Sequence, residues 1–404
     1  MPAARLVEGC EPVAPAPWRA VLAGLSASLV GIGLARFAYT PLLPAIIEAH
    51  WFDAAAASYL GAANLAGYLA GALLAGPLAA RSSNRTVLRA MMALTALALF
   101  ACAWPVDFAW FFGWRVLSGI GGGAAMVLAA PSVLPHIAPA RRGLASGAIF
   151  MGVGLGIAAS GTLVPLLLRG GLAQAWLGLG ALSALLTVVA WNGWPVAPVI
   201  APARHASAHA VPALALRALV AQYALNAAAL VPHMIFLVDF VARGLGQGLA
   251  AGSRYWVVFG LGAVAGPLLS GHLADRAGFG PALRLSYLVQ ALAIAIPATG
   301  AFGGVGLLVS SALVGAFTPG IVPLVLGRAQ ELLAHHPALQ KAAWSRATTA
   351  FAVLQAMAAY GMTYLLVRSG GDYALLFALG TGAIVLALAI DLVAGVLQRR
   401  RDRS

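Results

Sequence analysis

The sequence predicts an all-α integral membrane protein with twelve transmembrane helices in two pseudo-symmetric six-helix halves. Three observations carry this reading: composition, a recurring apolar run, and a motif that occurs twice. Hydrophobic residues make up 62% of the 404 and charged residues 9%, a balance that water-soluble domains do not show. Apolar runs of about twenty residues recur along the chain, each long enough to cross about 30 Å of hydrocarbon. They fall near 19–43, 54–79, 86–104, 107–135, 142–168, 173–195, 214–241, 251–274, 281–300, 303–332, 342–367 and 371–397. The tail before them, residues 1–18, is proline-rich and lacks the short apolar core of a cleavable signal, so the first span is expected to be its own insertion signal. Residues 196–213 (VAPVIAPARHASAHAVPA) interrupt the apolar series and divide a half at 19–195 from a half at 214–397, with a basic tail at 398–404.

The net charge of +13 raises the question of nucleic acid, and the positions of the charges answer it. With the N-terminus inside, eighteen of the 24 Lys and Arg fall on cytoplasmic segments, among them Arg81, Arg85, Arg89, Arg141, Arg142, Arg276 and Arg284. That asymmetry is the positive-inside rule and puts both termini in the cytoplasm. The basic balance is a topology signal, so no nucleic-acid partner is expected. Cys10 and Cys102 lie on opposite sides and cannot pair. No metal-ligand spacing, nucleophile motif or phosphate-cradling loop occurs, so no enzyme activity and no cofactor are expected. One lysine against 23 arginines suggests a GC-rich bacterial genome, and hence the bacterial inner membrane.

The repeat is GPLAARSSNRTVL at 76–88 and GHLADRAGFGPAL at 271–283, an offset of 195. Both copies sit at the inner end of the second helix of their half. Duplicated halves with a solute path between them are a transporter architecture. The second copy, G-H-L-A-D-R-A-G-F at 271–279, resembles the loop motif of the major facilitator superfamily. By that resemblance Gly271, Asp275 and Arg276 form a conformational latch on the cytoplasmic side. The first copy departs from the motif, with Ala80 in place of the acid and Ser83 in place of the second glycine. WRVLSG at 114–119 is similar to the family's Arg-x-x-x-Gly motif, and helix 5 (146–165) resembles the glycine-rich fifth helix of proton-coupled antiporters without its Gly-Pro pair. RFAYTPLLP, GVGLGIAASG and WRVLSG together resemble the YbfB/YjiJ-like bacterial branch. The resemblance implies rocking of two halves, a cavity lined by helices 1, 4, 7 and 10, and a small-molecule substrate.

Arg36 is the residue that most needs a reason, because an arginine at a span's centre costs roughly 2.5–3.5 kcal/mol on insertion scales. It falls in the outer half of helix 1, and Arg115 enters from the other end of helix 4 to a similar depth. Two guanidiniums facing one cavity would suit a carboxylate or phosphate, whereas snorkelling to the surface or bonding to backbone is the competing reading. Tyr39 and Thr40 share the face of Arg36, and Pro41 and Pro44 loosen the helix beyond them. On helix 7, Gln222, Asn226 and His233 form a polar stripe, read either as cavity lining or as interhelical bonding. His233 and Asp239 are the proton-coupling candidates, with Asp239 alternatively paired to Arg243 four residues on. Asn64 with Tyr68, Thr348 with Gln355, and Ser310 with Thr318 are weaker cavity candidates, each read more readily as a packing contact, and the glycines of helices 4 and 5 read as close helix packing. The expected function is secondary transport of a small solute, with an organic anion favoured by the arginines. The rival is proton-coupled efflux of hydrophobic or cationic compounds, and a non-transporting receptor or scaffold is the remote third. A monomer is expected.

Overall fold

The computed structural model describes residues 17–195, 212–300 and 303–401. Most of the N-terminal tail with Cys10, most of the central loop and the last three residues lie outside that range. Twelve long helices make up the bundle: α1 (residues 17–48), α2 (Ala54–Arg81), α3 (Asn84–Ala101), α4 (Phe108–Val133), α5 (Arg142–Leu168), α6 (Leu172–Ala190), α7 (residues 213–244), α8 (Leu249–Ala277), α9 (Phe279–Thr299), α10 (Gly303–Leu332), α11 (Pro337–Arg368) and α12 (Tyr373–Arg401). Eleven stretches are long and apolar enough to cross a membrane. The exception is α3, where Asn84, Arg85 and Arg89 dilute an eighteen-residue helix. The twelve long helices, α3 included, alternate in direction, so Pro17 and Arg401 lie at the same end of the bundle, the terminal face.

Several helices begin where the sequence supplies a cap. Asp53 accepts from Ala56 N at 2.7 Å, Asp107 from Trp110 N at 2.7 Å, Ser83 from Thr86 N at 3.1 Å and Asp372 from Leu375 N at 3.0 Å. Each satisfies an orphan N–H of a first turn. Three of the chain's few acids are thereby accounted for as caps. Between α8 and α9 the turn closes at Gly278, whose φ of +85° an L side chain rarely adopts.

Within each half, glycines set how closely helices approach. A Cβ on Gly67 or Gly71 would lie 2.0 Å and 2.1 Å from the carbonyl oxygens of Val116 and Ile120, and one on Gly119 would lie 2.1 Å from Asn64 O. The second half repeats this between α8 and α10, where Gly262 and Gly266 meet Ala312 O and Ala316 O at 2.0 Å and 1.9 Å. Gly262 and Gly266 stand 195 residues after Gly67 and Gly71, the offset of the loop motif. The same contact is therefore built twice, as small-residue packing in lipid requires.

Two helices depart from regular winding. In α1 the segment Leu29–Phe37 is π-helical and α-winding resumes at Tyr39. In α7 the π-helical segments are Pro232–Phe236 and Phe240–Gly244. These are the first helices of their halves, and π segments recur at functional sites. Broken helices in matching positions mark where transporters hold solutes.

Five hydrogen bonds join the halves among the described residues. Asp275 of α8 accepts from Gly143 N and Leu144 N at the start of α5, each at 2.8 Å. Lys341 Nζ donates to Asn84 Oδ1 at 3.2 Å and Trp344 Nε1 to Met126 O at 2.9 Å. The fifth joins Arg36 to Gln355. The first four lie toward the terminal face, so the seam is closed there.

Replacing Gly67, Gly119 or Gly262 with leucine should force these helix pairs apart, at a cost of about 1–3 kcal/mol or more. Gly76→Leu is the control, because a Cβ there meets nothing within 4 Å. Melting temperature and monodispersity in detergent should fall for the three packed glycines and hold for Gly76.

Candidate functional site

The break in α1 places two arginines back to back. Arg115 of α4 is 1% exposed. Its Nη1 donates to Ala35 O at 2.6 Å and its Nε to Leu60 O at 3.3 Å, while its guanidinium lies 4.4 Å over the Tyr39 ring. A buried charge is thus held by carbonyl dipoles and a π face. Asn64 Nδ2 donates to Ser118 Oγ at 2.9 Å and Ser118 Oγ to Arg115 O at 2.8 Å. This network locks α1, α2 and α4 together. Of the two readings of Arg115, the geometry realises the backbone one.

Arg36, one residue beyond Ala35, points the other way. Its Nη2 donates to Gln355 Oε1 of α11 at 2.8 Å. The Gln355 amide in turn approaches Met234 Sδ of α7 at 3.6 Å. Arg36 is half-buried, and its other guanidinium donors have no protein acceptor among the described residues. None of the three ion pairs among the described residues includes it. The seam therefore holds a positive charge bonded to one neutral amide. In the sequence Gln355, on one face with Thr348, is a weaker cavity candidate read more readily as a packing contact. Nothing in the spacing of α11 alone shows that an arginine faces it.

The other candidates are dispersed. Tyr39 donates its hydroxyl to Ala57 O at 2.6 Å and packs near Trp176, inside the first half. Thr40 is exposed. The stripe on α7 turns into the second half and away from Arg36. Gln222 Nε2 reaches Asp391 Oδ1 of α12 at 3.4 Å, Asn226 Nδ2 donates to Gln290 Oε1 of α9 at 2.8 Å, and His233 Nε2 lies 2.8 Å from Ser310 Oγ of α10. Ser310 donates onward to Ala293 O of α9 at 2.6 Å. These bonds realise the interhelical reading, with the partners on α9, α10 and α12.

Asp239 is paired with Arg243 through both carboxylate oxygens, and Tyr373 Oη donates to its Oδ2 at 2.6 Å. That arrangement fastens the far end of α7 to the start of α12. A second intramembrane acid, Asp391, is paired with Arg284 of α9. Its position near the inner end of α12 gave the sequence reading no reason to single it out. At the terminal face, Asp275 occupies the N-terminus of α5, where two backbone N–H groups and the helix dipole favour a carboxylate. Gly271 lies against Gly143, with an ideal Cβ on either glycine clashing with the other's carbonyl oxygen. Arg276 is exposed.

Comparison with solved structures places the fold. The human organic anion transporter MFSD10 (TETRAN) superposes with a TM-score of 0.72 at 16% identity, covering 93% of this chain and 100% of that one. The proton:xylose symporter XylE gives 0.71 at 14% identity, covering 92% and 94%. The E. coli fucose:proton symporter FucP gives 0.69 at 14% identity, covering 93% and 98%. At such identities the likeness shows the fold. Among curated proteins no sequence matches. The family described as uncharacterised MFS-type transporter YbfB matches residues 28–392, nearly the whole bundle with both arginines and Asp275, and the chain belongs to that family of major facilitator superfamily transporters.

Proposed function

We propose that this transporter moves a small organic anion across the bacterial inner membrane by alternating access, with Arg36 as its principal charge contact. The carrying observation is the half-buried Arg36 guanidinium at the seam, bonded to one neutral amide and to no carboxylate. A carboxylate or phosphate on the substrate would supply the acceptors that the protein withholds. Gln355 then acts as the contact from the opposite half, and Arg115 with Tyr39 holds the carbonyl next to Arg36 in place. Positive-inside asymmetry puts the terminal face in the cytoplasm, so the closed seam is the cytoplasmic one. That one similar fold belongs to a protein described as an organic anion transporter accords with this reading. For the rival, proton-coupled efflux of hydrophobic or cationic compounds, a cation would find no carboxylate paired with or bonded to Arg36. A coupling proton would have to use groups other than Arg36. His233 is a candidate through Ser310, and Asp239 would first have to leave Arg243 and Tyr373.

A thermal-shift panel of organic anions, neutral sugars and lipophilic cations tests the substrate class, run on wild type and Arg36→Ala side by side. A ligand at one hundred times its Kd stabilises by about 2.7 kcal/mol, enough to read. Anions should stabilise wild type and lose the effect in Arg36→Ala. Equal stabilisation of both proteins by cations would contradict the proposal. Asp275→Ala should open the cytoplasmic seam, because it removes two charge-assisted bonds of about 1.5–3 kcal/mol each. Spin labels at Arg141→Cys and His272→Cys, with Cys10 and Cys102 replaced, should then show at least a tenfold rise in a longer-distance population. An unchanged distribution would mean that closure does not depend on the acid.

A further inference from the structure

We propose that a crevice at the side of the seam is a binding site for one anionic phospholipid of the cytoplasmic leaflet. The crevice lies among α7, α10 and α11 and holds about 480 Å³. Alanines such as Ala221, Ala343 and Ala347 form its walls, so the trench is wide because the side chains are small. A second hollow of about 520 Å³ shares Ala224, Arg346 and Ala350 with it and extends to Leu73 of α2. The joined trench therefore takes walls from both halves.

Its length and charge identify the occupant. Along α7 the lining beyond Arg217 runs to Ala224, which is about 10 Å at 1.5 Å per residue. The second hollow carries it on along α11 to Val353 and Leu354, within the roughly 15 Å of one leaflet's hydrocarbon and so within the reach of an acyl chain. Two arginines, Arg217 and Arg346, line the same crevice and are exposed. Neither makes a hydrogen bond or ion pair with the described residues, and no carboxylate lines the crevice. Arginine stems lie along apolar walls with the charged head at the interface, and basic pockets between helices on the cytoplasmic side bind anionic head groups. A phosphate between the two guanidiniums, with its chain in the alanine trench, satisfies both features. The leaflet assignment rests on the orientation proposed above.

The site also bears on transport. Because α2 belongs to one half and α7 and α11 to the other, rocking changes the trench. A lipid that fits this arrangement better than its alternative shifts the population toward it. Anionic lipid should thus favour the state closed at the cytoplasmic face.

The test is native mass spectrometry of the full chain, titrated with phosphatidylglycerol or phosphatidylcholine of identical acyl chains. Wild type should prefer phosphatidylglycerol by about thirty-fold, the combined effect of two arginines at the headgroup layer. The double variant Arg217→Ala with Arg346→Ala should lose the preference, and both residues are exposed, so folding is not at stake. Ala350→Phe, which fills the trench and keeps both charges, should lose the lipid altogether. Equal affinity for the two lipids in wild type overturns the proposal, as does a preference that survives the double variant. Undiminished binding to Ala350→Phe also overturns it. Failure of any lipid to bind wild type would give the trench to another occupant, such as the chain's own segment 196–211.

Discussion

Lipid offers no hydrogen-bond partner, so the backbone and the polar groups buried in this bundle depend on the protein for theirs. The clamp of Arg115 on Ala35 O and Leu60 O is where that constraint shapes the molecule most. It binds three helices of the first half through one side chain. It also uses a carbonyl in the irregular winding of α1, and so fixes the break instead of leaving it strained. The neighbouring Arg36 is then directed across the seam, and its half-free guanidinium becomes the strongest chemical feature there.

The glycine contacts serve the same constraint in another way. Without a hydrophobic drive between helices in lipid, close van der Waals packing has to hold them. The α2–α4 and α8–α10 pairs do this with matching glycines, giving each half a rigid backbone contact. Between the halves the bonding is sparser and lies mostly at the terminal face. Two stiff bodies with a lightly bonded seam suit the rocking proposed above, and Asp275 at the start of α5 supplies two of the seam's bonds.

Much of this was legible in the sequence, for identifiable reasons. Apolar run length marks a span almost without context, so the twelve helices emerge close to their expected bounds. The offset of 195 was visible in the loop motif and returns in the packing glycines. Asp275 was identifiable because a motif fixes its place. The stripe Gln222, Asn226 and His233 was legible as a face but not as a direction. Periodicity says which residues share a side of α7, whereas Gln290, Ser310 and Asp391 on other helices decide where that side points. Gln355 was legible only as a weaker cavity candidate for the same reason, since its partner Arg36 lies some 319 residues away. The break in α1 begins before Pro41 and Pro44, in a run whose Gly31 and Gly33 read equally well as close helix packing. In α7, by contrast, Pro232 opens the π segment and marks it.

The two arginines do different work, Arg115 bonded to backbone and Arg36 to a single amide, and unliganded stability tests that division. Melting wild type, Arg36→Ala and Arg115→Ala in the same detergent, with no solute added, separates the roles. Removing Arg115 leaves two buried carbonyls without their donor, at about 1–3 kcal/mol each, and should lower the melting temperature by many degrees. Removing Arg36 deletes a charge that the protein itself barely satisfies, and should leave the melting temperature unchanged or raised. A collapse of Arg36→Ala to the level of Arg115→Ala would contradict the account, because Arg36 would then be holding the fold and not waiting for a substrate.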